Sequence, residues 1–501
     1  MNQVAHGLPA FAARSYEFAE YAPARNWIGG AWVDPSTGAW APVENPRHGR
    51  AMSKVAMSGA ADVDAAVEAA AAAQREWRAW PVRERAQVMF RLKALMERDR
   101  EELAWLISHE NGKVYAEALA EVDKGIECAE FGCSLENLAA GEQLYVSRGV
   151  NCRESYEPLG VVAGVTPFNF PVMVPLWMLP QALVAGNAFI LKASEVVPLG
   201  ALKLAVLLRE AGLPDGVFNL VHGGADVVNA LADHPGIRAL AFVGSTKVAK
   251  LVYARGAAQG KAVLCLGGAK NHLIVVPDAD VQLTAANVAA SFTGCAGQRC
   301  MAASVLVAVG EVDHIVRAVA GEAAKLRLGH EMGPVISEAA EARIRGYIDG
   351  AEAAGANILL DGRPQRGEGG GYWVGPTILD GVAPSMKAAC DEIFGPVISV
   401  IRVRTLDEAL AIENANPYGN AACIYTTSGA VAEYVVERVD AGMVGVNVGV
   451  PVPREPFGFG GWNDSRFGHG NITGWDGYLF WTRPRKVTTK WALQKDTTWM
   501  G

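Results

Sequence analysis

"GVVAGVTPFNFPVMVPLWMLPQALVAGNAFILKASE", residues 160–195, decides the fold. "GVVAGV" is a short apolar run rich in valine, the pattern of a strand buried on both faces. An apolar helix follows Pro171, and "AFILKAS" is the next buried strand. The uncharged length from Phe170 to Leu191 matches a membrane span, but it contains Pro171, Pro175, Pro180, Gln181 and Asn187 and has no second copy. It reads as a buried helix plus a strand.

The alternation continues outward. A helix runs from Pro198 to a glycine stop at Gly212, and "VFNLV" and "ALAFVG" are strands separated by the helical "DVVNALADH". A helix around "KVAKLVYAR" leads to the strand "KAVLCL". Strands separated by single helices pair in parallel through right-handed crossovers, which predicts an α/β, doubly wound sheet of nucleotide-binding type. After Gly268, "HLIVV", "SVLVAV", "VISVIRV", "ACIYT" and "MVGVNV" predict a second α/β unit. Before residue 140, "DVDAAVEAAAAAQREW" and "VRERAQVMFRLKALMERDREELAWLI" space their apolar residues by three and four, so helices should flank the first sheet. The final "GYLFWTRPRKVTTKW" reads as extended, and an edge strand this apolar needs a partner, such as a neighbouring subunit.

A length of 501 residues is too great for one core and suggests two to four domains. The net charge of −8 comes without an acidic or basic block, which argues against nucleic acid or an anionic membrane as partner. The N-terminus lacks a basic start followed by an apolar run, so no signal peptide is expected. Eight cysteines without a secretory signal then fit reduced thiols in the cytoplasm. Cys128/Cys133 and Cys295/Cys300 are spaced more widely than zinc pairs and have no further ligands nearby, so no metal is expected.

No Walker loop, HExxH or G-x-S-x-G occurs. The nearest phosphate signal is "FVGSTKVAK", where a strand runs into Gly244 and Ser245 and then a helix. That helix start favours a phosphate, but taken alone a glycine turn with a serine capping the helix is the better reading of these residues. Lys192 and Glu195 lie just past a strand end, where open α/β sheets bind ligands. A carboxylate there accepts both ribose hydroxyls of an adenosine and repels a 2′-phosphate, favouring NAD over NADP; a solvated ion pair is the alternative. "GCAGQRCMA" leaves Cys300 open as a nucleophile, a metal arm or a buried thiol. Arg299 favours a thiolate, and Asn169 of "TPFNFP" offers a donor for an oxyanion. Together with the nucleotide-type sheet they make the nucleophile the better reading: attack on an aldehyde, hydride loss and a thioester.

Taken in order, "TPFNFP", "LKASE", "FVGST", "LGGAKN", "AGQRC", "DEIFGPV", "NPYGN" and "PFGFGGWNDS" resemble the aldehyde dehydrogenase superfamily over nearly the whole chain. The resemblance implies an aldehyde dehydrogenase fold in three parts. These are a Rossmann-like dinucleotide-binding domain (1–139 and 159–266), a catalytic domain (267–474) and a β oligomerisation arm (140–158 and 475–501) of a homo-oligomer, dimer or tetramer. It implies Cys300 as nucleophile, with Asn169 and the Cys300 amide stabilising the oxyanion. Thr166, Pro167 and Phe168 would line the cofactor, Lys192 and Glu195 hold its adenosine ribose, Gly244 and Ser245 meet the pyrophosphate, and Glu392 and Phe394 the nicotinamide ribose.

Where hydrolytic members carry a glutamate as base, anchoring on Lys270 and Asn271 places Leu266. Leucine takes no proton, and the chain is most similar to the CoA-acylating methylmalonate- and malonate-semialdehyde dehydrogenases, which lack that glutamate. The implied function is NAD-dependent oxidation of a short carboxylated semialdehyde, with coenzyme A taking the acyl group and the β-carboxylate lost. The alternatives are a CoA-independent enzyme on another small or acidic aldehyde, and an NAD-binding homologue without turnover. Arg299 and Lys124 would bind the substrate carboxylate, Lys124 standing where the subfamily has arginine and lacking its bidentate fork. Ala249 replaces a usual glycine beside the pyrophosphate, and "LRLGHEMGPVIS" is short by about one loop. Cys265 and Cys295 read as packed thiols.

Overall fold

The structure is a computed structural model describing residues 14–491. Residues 1–13, most of the stretch read for a signal peptide, and 492–501, the end of the expected arm, lie outside the described residues.

The stretch that decides the fold forms strand Val161–Val165, helix Met173–Val184 and strand Ala188–Lys192, each buried along its whole length. Full burial on both faces is why these strands carry no polar alternation. Five parallel strands make the centre of the first sheet, in the order Phe218–Leu220, Ala188–Lys192, Val161–Val165, Ile237–Val243 and Ala262–Leu266. Because Val161–Val165 comes first in the chain yet sits between the second and fourth, the chain winds away from it in both directions. The crevice beyond the ends of Val161–Val165 and Ile237–Val243 is therefore a topological switch point. Short antiparallel strands close both edges, and one of them, Arg466–Phe467, belongs to this sheet although it lies between 267 and 474.

The second sheet is parallel from Thr377–Asp380 through Val397–Val403, Ala303–Val309, Asn271–Val275 and Ala421–Tyr425 to Met443–Val446, with Asn357–Leu360 antiparallel at its edge. Thr377–Asp380, Asn357–Leu360 and the hairpin of Trp40–Asn45 with Arg50–Ala56 carry no clear strand signal, being short or partly exposed. The continuous helical pattern from Val82 breaks at Asp99, whose carboxylate pairs with Arg98 and Lys203.

Helix Tyr115–Leu138 reaches across to helix Met173–Val184 through glycines: a Cβ on Gly132 would stand 2.7 Å from Pro180, and one on Gly125 2.8 Å from Leu176. The segment read as wholly extended begins as helix Gly474–Phe480. Spacing of three puts Trp475 and Tyr478 on one side, where their rings stack 5.0 Å apart; composition alone hides this. Beyond it, Thr482–Lys490 pairs in unbroken register with Val150–Pro158, and Glu142–Ser147 forms the outer strand of that three-stranded sheet. Among the described residues, no helix is long and apolar enough to cross a membrane.

At Gly164 strand, sheet and helix press together: a Cβ there would meet the Phe189 ring at 2.6 Å and Met178 Sδ at 2.7 Å. Gly164→Ala should cost about 1–3 kcal/mol by overpacking. The check is a lower urea midpoint; an unchanged midpoint would show that the ring yields freely.

Candidate active site

Two cavities of about 330 Å³ and 380 Å³ meet at Cys300, Phe170 and Trp177. The first opens at the switch point and is lined by Pro167, Phe168, Gly244, Ser245, Glu392 and Phe394, with Asn169 beside Cys300. The second is lined by Glu117, Glu121, Lys124, Cys295 and Arg299.

The loop from strand Val161–Val165 is held by one buried cluster. Lys113 Nζ pairs with Glu121 at 2.6 Å and donates to the Asn169 carbonyl at 2.5 Å, both side chains being almost wholly buried. Glu121 Oε1 accepts the Val172 and Met173 amides at 2.9 and 3.1 Å, satisfying the start of the helix as a cap would. Asn111 donates to the Phe168 carbonyl at 2.9 Å.

Cys300 follows helix Val281–Thr293 and the turn Gly294–Gly297, where Cys295 and Ala296 hold left-handed φ angles of 54° and 52°. Its carbonyl accepts from Asn271 at 2.7 Å and Asn420 at 3.0 Å, which fixes the backbone that carries the thiol. Asn169 Nδ2 donates to the Gln298 carbonyl at 3.0 Å, and an amide nitrogen has a second hydrogen to offer the cavity. Gly297 is pressed against the segment that carries Glu392: a Cβ on it would stand 2.0 Å from the Gly395 carbonyl oxygen.

Burial, followed by the charge of Glu392, pushes the Cys300 thiol up to about 12, outweighing its backbone hydrogen bonds and Arg299. The expectation that Arg299 holds a thiolate is thus corrected: its Nη2 is spent on the Ala290 and Ser291 carbonyls at 2.7 and 3.0 Å. Burial also lifts Glu392 to about 7 against the opposing Ala269 amide bond. Cys295 is pushed up to about 11 by burial, and its amide donates to Glu117 at 2.7 Å.

Thr166, Lys192 and Glu195 lie at the same sheet edge but outside both cavity walls. The Thr166 amide donates to the Lys192 carbonyl at 3.1 Å, and Lys192 pairs with Glu195 at 2.6 Å. Ser245 stands at the N-cap of helix Thr246–Ala258, but its hydroxyl makes no capping bond, so that helix end stays open to an anionic group. Gly268 keeps the wall thin, since a Cβ there would collide with Glu392 at 2.3 Å. The first cavity therefore suits the nicotinamide half of a dinucleotide.

Ala249 is packed in the core and lines neither cavity. Leu266 likewise packs inward, while its carbonyl accepts the Gly244 amide at 3.1 Å. Cys265 packs into a different core cluster from Leu266. The short segment near Gly329 closes as a tight turn, with the Gly329 amide donating to Met332 at 2.8 Å. Among the described residues, no cluster of His, Cys, Asp or Glu could hold a metal. Sequence reasoning missed Lys113, Glu121, Glu117 and Glu455; Asn420 lay within the quoted "NPYGN" without a role.

The profile of the aldehyde dehydrogenase family matches residues 32–487. The chain belongs to this family. It is 46% identical over 476 residues to a malonate-semialdehyde dehydrogenase of Geobacillus kaustophilus, covering 93% of this chain and 98% of that protein. A structure from Sinorhizobium meliloti, complexed with NAD, aligns with a TM-score of 0.93 at 40% identity over 96% of this chain and 100% of the other. The methylmalonate-semialdehyde dehydrogenase of Oceanimonas doudoroffii aligns with a TM-score of 0.93 at 41% identity, covering 94% and 99%.

With its thiol near 12, Cys300 of the cofactor-free protein should react with iodoacetamide about tenfold faster per pH unit from roughly pH 7 to 10. Mass spectrometry of the Cys300 peptide reads this rate; a plateau below about pH 9 would show a thiol activated in the free enzyme.

Proposed function

We propose that this enzyme oxidises malonate or methylmalonate semialdehyde with NAD and passes the acyl group to coenzyme A, the β-carboxylate leaving as carbon dioxide or bicarbonate. The observation that carries the reading is the inward-packed Leu266, which leaves Glu392 as the one acid on the wall of the first cavity. The similarity to semialdehyde dehydrogenases over almost the full chain supports it, and so does the NAD held by the S. meliloti structure.

In this reading the aldehyde reaches Cys300 through the second cavity. The Cys300 thiol gives its proton to solvent in the cavity as its sulfur attacks the carbonyl carbon, and the Asn169 amide and the Cys300 backbone N–H donate to the oxyanion that forms. NAD, bound in the first cavity with Glu392 and Phe394 at its nicotinamide ribose, supplies the hydride acceptor. Gly244 and Ser245 would hold the pyrophosphate at the open helix start. Pro167 and Phe168 flank the ring, Thr166 fixes their loop, and Lys192 with Glu195 takes the adenosine ribose. Collapse of the oxyanion leaves a thioester on Cys300, which a thiol co-substrate attacks without a strong base. Arg299 faces the carboxylate of the substrate. The reduced state of all eight cysteines suits a cytoplasmic setting.

NADH production from malonate semialdehyde, with and without coenzyme A, tests the reading. The expected result is a burst of about one equivalent per site without it and sustained turnover with it. Equal turnover would overturn the CoA-acylating assignment and point to Glu392, near 7, as the base that activates water. Cys300→Ala should lose oxidation while keeping NAD affinity.

We further propose that the three-stranded arm assembles a homo-oligomer, dimer or tetramer. Glu142–Ser147 is exposed throughout and carries Leu144, Tyr145 and Val146 at 67%, 76% and 53% exposure. Light scattering should report a smaller assembly for Leu144→Lys/Val146→Lys than for the wild type; an unchanged mass would remove this strand from the interface.

A further inference from the structure

Lys124 stands on the wall of the aldehyde cavity, where sequence reasoning gave it the carboxylate of the substrate to bind. Its ammonium is already occupied. Nζ lies 2.8 Å from Glu455 Oε2 and 3.1 Å from Glu127 Oε2. Glu455 is the shielded partner, its side chain 8% exposed against 38% for Glu127. Its other oxygen receives the Cys128 thiol at 3.8 Å. Glu455 follows Val452, Pro453 and Arg454, which line the same cavity, so the chain inserts an internal carboxylate at the position where a substrate carboxylate would seek its cation.

We propose that Glu455 is a specificity-determining residue of the aldehyde cavity: it neutralises Lys124 and leaves Arg299 to read the substrate carboxylate. This deepens the reading of the second cavity as the aldehyde's route and rests on it. An ammonium with a carboxylate at 2.8 Å acts at a distance as a dipole, whose field falls off faster than that of a charge. The other charges facing the cavity do not replace Lys124. Arg454 is 80% exposed and paired with Glu127 at 3.5 Å, so solvent screens it. Glu121 is balanced by Lys113, and Glu117 adds a further acid. A carboxylated aldehyde therefore meets Arg299 as the remaining cation of the wall, its Nη2 held by the Ala290 and Ser291 carbonyls and its charge facing Glu117. Removing the Glu455 charge should widen the preference for anionic over neutral substrates of the same length.

The test reads the field at Cys300 without requiring turnover. Iodoacetate and iodoacetamide alkylate a thiol by the same displacement of iodide, and they differ in the charge that enters the cavity. In wild-type protein, the ratio of their rates at Cys300, located by peptide fragmentation, sets the baseline. Glu455→Gln leaves Lys124 with only the more exposed Glu127 at 3.1 Å and makes the cluster one charge more positive, which should raise that ratio on the order of fivefold. Lys124→Met should lower it, because Glu455 is then unpaired beside the cavity. The double variant Lys124→Met/Glu455→Met removes both charges and should return close to the wild-type ratio. A purely structural role would shift both reagents together and leave the ratio fixed.

An unchanged ratio in Glu455→Gln and in Lys124→Met overturns the proposal. If Glu455→Gln does not fold, Lys124→Met and the double variant decide in its place. The KM for malonate semialdehyde relative to propanal should fall in Glu455→Gln, in step with the alkylation ratio. Absence of any oxidation of malonate semialdehyde would instead count against the proposed reaction, with the alkylation ratio still deciding the role of Glu455.

Discussion

The buried ion pair of Lys113 with Glu121 sets the geometry on which the site depends. Two charges removed from water are tolerable only when every donor and acceptor is matched, and here they are. Lys113 reaches Glu121, the Asn169 carbonyl and the face of Phe170 at 3.7 Å, while Glu121 also takes the two amides that begin helix Met173–Val184. One pair thereby positions Asn169, the ring beside Cys300 and the helix that floors both cavities. The Asn169 bond to the Gln298 carbonyl extends that reference to the loop of Cys300, which belongs to the other sheet.

The two sheets divide the chemistry. The first contributes a switch-point crevice with an uncapped helix start, suited to a phosphate group. The second contributes a thiol whose carbonyl is pinned by Asn271 and Asn420. Burial raises that thiol well above its ordinary range, so adventitious electrophiles find a poor nucleophile in the ligand-free protein. The second cavity follows the same restraint, since its lysine is held by an acid of the chain itself.

Much of this was legible in the residues. Strands such as "GVVAGV" and "AFILKAS" are buried on both faces, so apolar runs revealed them, and Phe170 to Leu191 resolved as helix plus strand. Asn169 and Cys300 stood out as polar and reactive groups at the ends of apolar elements, and the structure places them on one cavity wall. What stayed hidden depends on distance along the chain. Lys124 and Glu455 are separated by 331 residues, so nothing local told that the lysine was neutralised. Lys113 and Glu121 belong to no quoted motif, and the loop they hold lies 51 to 56 residues further along the chain. Helix Gly474–Phe480 was misread because aromatic residues favour strands by composition, while their spacing of three served a buried helical face.

The contact of Gly297 with Gly395 makes the thiol-bearing turn and the segment behind Glu392 mechanically one part. No side chain separates the two backbones, so neither can be displaced without carrying the other. Divergence of this enzyme toward a new cofactor geometry would therefore drag the nucleophile along with it. Lys124 and Glu455 lie outside that contact, whereas Arg299, the neighbour of Cys300 on the same wall, moves with it. The architecture ties the spacing between sulfur and cofactor, and Arg299 with it, into a single inherited unit.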